Sequence, residues 1–246
     1  MGSEAGSRTT GRVRSTRAWT RHGVVAGLGA ILLLMILGVA TPADAASCHR
    51  EDAPVELTFR SVFDRARLDH TKSAATINAM FERSQQDASI ARKGGAVGLT
   101  TSQSEFRFST QVRYYRRSDG LYCVHLKSVD AHLNQRNTTI YVAREFARGS
   151  CNFDVVYEHE KQHMRIHYRT LQEYAPRVKR ALQRLVQRLD PRVVRTVAEV
   201  RNAYVDTIND GVEPLLEAME EENRRRNQAL DTPENYARES AKCPTW

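Results

Sequence analysis

No two of the four cysteines form a C-x-x-C pair, which argues against a cysteine zinc site or a thioredoxin-like motif. The chain also lacks internal repeats and low-complexity tracts. A strong basic excess is missing as well. The 37 Lys and Arg are interspersed with 29 Asp and Glu, and the net charge is +8. So scattered an excess gives no footprint for a nucleic-acid partner. The 246 residues suit one domain or two small ones, and a single domain is expected here.

Charge is absent altogether from residues 23–40, GVVAGLGAILLLMILGVA. Arg8, Arg12, Arg14, Arg17 and Arg21 precede this run, and Ala43 and Ala45 bracket an A-x-A pattern after it. A basic flank, an apolar core and a small-residue site read as an export signal over residues 1–45. The alternative is an uncleaved anchor, because 18 apolar residues just suffice to cross a bilayer. That segment is the one expected contact with a membrane. It holds five of the Lys and Arg and two of the Asp and Glu, so its removal leaves 32 against 27, a net of +5. An exported chain is destined for the periplasm or the extracellular space.

All four cysteines, Cys48, Cys123, Cys151 and Cys243, follow this leader. An even number in an exported chain reads as two disulfides, with three possible connectivities. The pairing expected is Cys123–Cys151, strand to helix start, and Cys48–Cys243, end to end.

Residues 46–246 divide by pattern into a strand-rich part (55–147), a helical part (152–229) and a polar tail (230–246). VELTFR (55–60) alternates as a strand, and SAATINAMFERSQQ (73–86) has helical spacing. The Gly-containing stretch KGGAVGLTTSQS reads as a loop. FRFSTQVRYY, LYCVHLKSVDAHL and TTIYVAREF follow as three further strands, with turn chemistry at Ser118-Asp119-Gly120. Beyond Gly149 the period becomes helical, with Asn152 as a candidate cap. Strands followed by helices imply an α+β domain, here a small antiparallel sheet of three to four strands packed against long helices.

The helical part opens on YEHEKQHMRIH (157–167). His159 and His163 are four residues apart, so on a helix they lie one above the other on one face. Two imidazoles so placed can converge on one Zn2+ ion, as metal ligands. Glu160 is offset around the helix, where it can take a proton from a metal-activated water without ligating. The competing reading is a solvated helix face whose histidines meet water or acids.

HEKQH resembles the zincin signature of zinc metallopeptidases. More loosely, residues 151–182 resemble the corresponding helix of exported bacterial proteins described as zinc-dependent proteases. The resemblance covers about thirty residues and implies His159 and His163 as ligands, Glu160 as general base, and a peptide or protein substrate. Metzincins continue with Gly and then His at positions where this chain has Ile166 and Arg169, so that subgroup is excluded. His167 repeats the four-residue spacing, but it lies about 12 Å along the axis from His159, too far for all three to share an ion.

A third ligand must come from elsewhere, and a gluzincin-like arrangement would supply a Glu from a later helix. If Asp190-Pro191 tips a helical hairpin, His159 faces residue 222. Val197, Tyr204, Ile208, Leu215 and Met219 form an apolar stripe that Glu222 continues. Glu222 is therefore the expected third ligand, with Glu199, Asp231 and Glu234 as alternatives. His125 and His132 read as surface histidines on strands. Two functions compete: a secreted or periplasmic zinc metallopeptidase, and a non-catalytic cell-envelope interaction module without metal.

Overall fold

The structure is a computed structural model that describes residues 7–13, 48–49, 53–84 and 95–246. Most of the expected leader, including residues 23–40, therefore lies outside the described residues. Within them no helix is long and apolar enough to cross a membrane.

The sheet has six strands, five of them after residue 55. β1 (Ser7–Val13), β4 (Gly98–Arg116), β5 (Tyr122–Val142) and β2 (Glu56–Phe63) lie in that order. β3 (Arg67–Asp69) and β6 (Arg192–Val194) pair with other parts of β5. The α+β class holds, but the small antiparallel sheet does not. β2 and β3 both run parallel to β5. Parallel pairing is possible because the chain travels over thirty residues between them, through helix α1 (Ala74–Ser84) and the whole of β4.

β4 and β5 are much longer than their sequence patterns imply, at 19 and 21 residues. The expected loop through residues 98–104 is strand, and the two strands expected after Gly120 are one. Asn137 accounts for the apparent break: at φ 56 it adopts a left-handed backbone where the β4–β5 register slips. Its N–H is received by Asp64 Oδ2 at 2.5 Å, and its side-chain amide donates to Gln103 at 3.0 Å. A turn-type residue thus marks a bulge within a continuous strand.

One face of the long hairpin is apolar. Phe106, Phe108, Val124, Val129, Ala131 and Leu133 are buried there. Against them pack helices α2 (Cys151–Arg188) and α4 (Val205–Leu230), joined by β6 and the short α3 (Val197–Asn202). Ser150, not Asn152, caps α2, accepting from Phe153 N–H at 3.2 Å. Asn152 instead donates to the Thr245 carbonyl at 2.7 Å. Pro176 and Pro214 each sit inside an assigned helix without ending it. Gly211 lies where α4 crosses α2, and a Cβ there would stand 2.6 Å from Leu185 Cδ2. The stripe expected on α4 is observed at Tyr204, Ile208 and Met219, with Val212 and Leu216 completing it. Val197 is exposed.

The tail is folded. Thr232 caps α5 (Pro233–Ser240), accepting from Asn235 N–H at 3.2 Å. The disulfides are Cys48–Cys123 and Cys151–Cys243, neither being the expected pairing. The end of the chain returns to the start of α2, not to residue 48. Two disulfides fit a chain that folds in an oxidising compartment.

Candidate metal centre

Helix α2 buries one stripe against the sheet and α4, and His159, Glu160 and His163 belong to its buried residues, at 5, 4 and 8 % exposure. Burial of three polar side chains in succession costs free energy unless each is partnered. Each is.

His159 donates from Nδ1 to Glu239 Oε2 at 2.8 Å. His163 donates from Nδ1 to Asn227 Oδ1 at 2.7 Å, and Asn227 is oriented by its own N–H bond to the Asn223 carbonyl at 2.8 Å. With both Nδ1 atoms engaged, the two Nε2 atoms turn toward each other at 3.0 Å. Asp231 Oδ1 completes a triangle, 3.2 Å from His159 Nε2 and 3.1 Å from His163 Nε2. Tyr236 donates to the same Asp231 oxygen, and its ring lies 5.2 Å from that of His159.

A tetrahedral zinc with bonds of about 2.0–2.1 Å separates its ligands by about 3.3–3.4 Å. The triangle's edges of 3.0–3.2 Å match one face of such a tetrahedron to within a few tenths of an ångström. Outer carboxylate and amide acceptors on both Nδ1 atoms are the arrangement that fixes a ligating imidazole. The donor set of two nitrogens and one carboxylate oxygen suits zinc and other first-row divalent ions.

Glu160 has a carboxylate oxygen within 4.8 Å of a ring nitrogen of each histidine, yet it is held from the opposite side. Thr100 on β4 donates to its Oε2, 2.9 Å away, and lies 2.8 Å from its backbone carbonyl. Gly98 makes room for it, because a Cβ there would meet Glu160 Oε1 at 2.6 Å. Burial raises the Glu160 carboxyl above its usual range, against the opposing pull of His163 and His159. For His163, burial disfavours the charge, but Asp231 and Glu160 outweigh it and lift the ring to about 9. Among the described residues no carboxylate offsets burial at His167. Burial, followed by the charge of His163, pushes it down to about 4.

The remaining residues named from sequence lie elsewhere. Glu222 accepts from Arg225 and Arg226 at 2.6–2.8 Å, and these guanidinium groups hold its carboxyl well below the usual range. It does not join the histidines. The reason is the connection: β6 and α3 occupy the turn of the hairpin, so facing residues sum to about 390 rather than 381, as His163 and Asn227 show. That shift places Asp231 opposite His159. Glu199 accepts from Arg195 N–H and the Thr196 hydroxyl at the start of α3, both at 3.1 Å. Glu234 is exposed in the first turn of α5. His125 is buried against Cys123, not on the surface, and His132 lies 3.4 Å from Asp130.

Glu239, Tyr236, Asn227 and Thr100 carry no signature that local spacing reveals. One faint signal exists: Asn227, Asp231, Asn235 and Glu239 recur every four residues across the end of α4 and α5. Comparison with family models, curated proteins and solved structures finds no match for the chain.

Proposed function

We propose that His159, His163 and Asp231 hold one divalent cation, zinc by donor chemistry, in an exported amide hydrolase acting on peptides or proteins. The observation that carries this reading is the triangle of donor atoms with edges of 3.0–3.2 Å, both Nδ1 atoms being engaged behind it. The HEKQH pentad and its likeness to zincin peptidases supply the reaction class. A cation bound there would acidify a water and polarise a carbonyl.

The chain's own groups have separable tasks. Asp231 and the imidazoles supply the ligand atoms, while Glu239 and Asn227 fix the ring orientations. Glu160, with its proton affinity raised by burial, takes the water's proton and passes it to the leaving amine. Thr100 holds that carboxylate in place. Tyr236 donates to Asp231 beside the donor triangle, and its hydroxyl would have to leave that bond to meet a developing oxyanion.

A second reading has an observation in its favour. His159, Glu160 and His163 are at most 8 % exposed, the Asp231 side chain is 17 % exposed, and α5 lies over them through Glu239 and Tyr236. A cation so enclosed would staple α2 to the tail without turnover. Hydrolysis requires α5 to move aside, whereas the staple requires it to stay.

The two part on Glu160→Gln, assayed by cleavage of a mixed peptide library with metal content measured in parallel. The hydrolase reading expects activity to be lost with metal retained. Cleavage by the unaltered chain that persists undiminished in Glu160→Gln removes Glu160 as the base. Metal without any cleavage in either protein leaves the staple.

A further inference from the structure

The second cluster of candidate ligand atoms lies far from the triangle in the chain, at Cys48, Cys123 and His125. Cys123 and His125 alternate on β5 and so point to the same face of the sheet. His125 Nε2 stands 3.1 Å from Cys123 Sγ, and the imidazole is 6 % exposed, stacked on Tyr115 with centroids 5.8 Å apart. Cys123 is fully buried, while Cys48 is half-buried. Beside them opens a cavity of about 450 Å³ lined by Arg113, His125, Lys127 and Glu56, among others. Arg113 sits directly across from His125 in the strand register.

These features are those of a disulfide built to open. In thiol–disulfide exchange the departing sulfur leaves faster and more completely when its thiolate is stabilised. An imidazole N–H at hydrogen-bond distance provides that stabilisation. Cys151–Cys243 offers the contrast. There Cys151 Sγ faces the Lys242 carbonyl oxygen at 3.4 Å, closer than the Arg192 carbonyl stands to Cys48 Sγ, at 4.0 Å, and a partial negative charge opposes a thiolate.

We propose that Cys48–Cys123 is a thiol-exchange site for a dithiol reductant, with His125 holding the released Cys123 thiolate. A thiolate of the reductant attacks the half-buried Cys48 Sγ. The Cys48–Cys123 bond breaks, and its electron pair leaves on Cys123 Sγ beside His125. The reductant's second thiolate then attacks its own sulfur in the mixed disulfide and releases Cys48. One protein disulfide and one external dithiol become one protein dithiol and one external disulfide, with two electrons and two protons transferred. This site does not depend on the metal reading.

The test uses the full chain, treated with graded dithiothreitol, quenched by alkylation and mapped by peptide mass. Cys48 and Cys123 are expected to become alkylated at least about tenfold faster than Cys151 and Cys243, and in His125→Phe that advantage is expected to disappear. Cys151–Cys243 in the same molecule reports whether the variant is folded. If His125→Phe fails to fold, the order of opening in the unaltered chain still decides. Simultaneous opening, earlier opening of Cys151–Cys243, or an undiminished advantage in folded His125→Phe would overturn the proposal.

Discussion

Two segments meet at the candidate metal centre, and they encode it in different ways. The first half of α2 presents His159, Glu160 and His163 through helical periodicity alone, so their relation is fixed by residues four apart. The segment from Asn227 to Cys243 contributes Asp231, Tyr236 and Glu239 only after the chain has turned through β6 and α3, with a disulfide tying it to Cys151. The helix brings two imidazoles together once it forms. The tail makes them a site.

The sharpest way to break this comparison is to remove the tail's ligand while leaving the helix intact. Asp231→Ala is expected to weaken metal binding by more than about a hundredfold, beyond what loss of an outer partner costs. Competition against a chelator of known affinity checks it. Binding undiminished in Asp231→Ala would assign the site to the helix alone. Next in size, Glu239→Gln is expected to weaken binding about 10–100-fold by loosening the His159 ring, while Glu222→Gln leaves it unchanged. The same titration on both variants distinguishes a residue behind the ligand from one in an exposed ion pair.

That pair of variants also marks the limit of what the sequence discloses. The histidine pair and its buried carboxylate are local, and their pattern survives any error in tertiary register. Glu222 follows from a hairpin turning at Asp190, and the structure differs because a three-residue strand and a short helix lengthen the turn. Similarly, α+β character follows from the order of patterns, whereas parallel pairing of β2 and β3 with β5 depends on where distant segments land. The bulge at Asn137 hid one long strand as two. The disulfide connectivity was hidden for the same reason: spacing along the chain does not determine proximity.

A smaller effect sharpens the helix side. His167 is pushed down to about 4 in the folded chain, while the unfolded chain protonates it near 6.5. Between these values the unfolded state binds more protons, so this residue removes stability as pH falls from about 6.5 to about 4. His167→Gln is expected to flatten that part of the pH–stability curve by roughly 2–3 kcal/mol, read from urea unfolding at several pH values. An unchanged curve would mean that the ring is solvated. The smallest effect is on the tail side: Thr232→Ala removes the cap of α5 and is expected to cost about 1 kcal/mol in the same assay. A loss no larger than that of an exposed Thr→Ala elsewhere would show that the disulfide, not the cap, orders α5.

The central claim is that the two segments together bind an ion that neither binds alone, and metal content tests it most directly. The folded, full-length protein is dialysed against trace zinc, and bound metal per chain is measured by elemental analysis. A stoichiometric ion is expected in the unaltered protein, falling to background in His159→Ala/His163→Ala and in Asp231→Ala. A protein that folds with both disulfides formed and retains no metal would contradict the account. The triangle would then be a hydrogen-bonded polar cluster and nothing more.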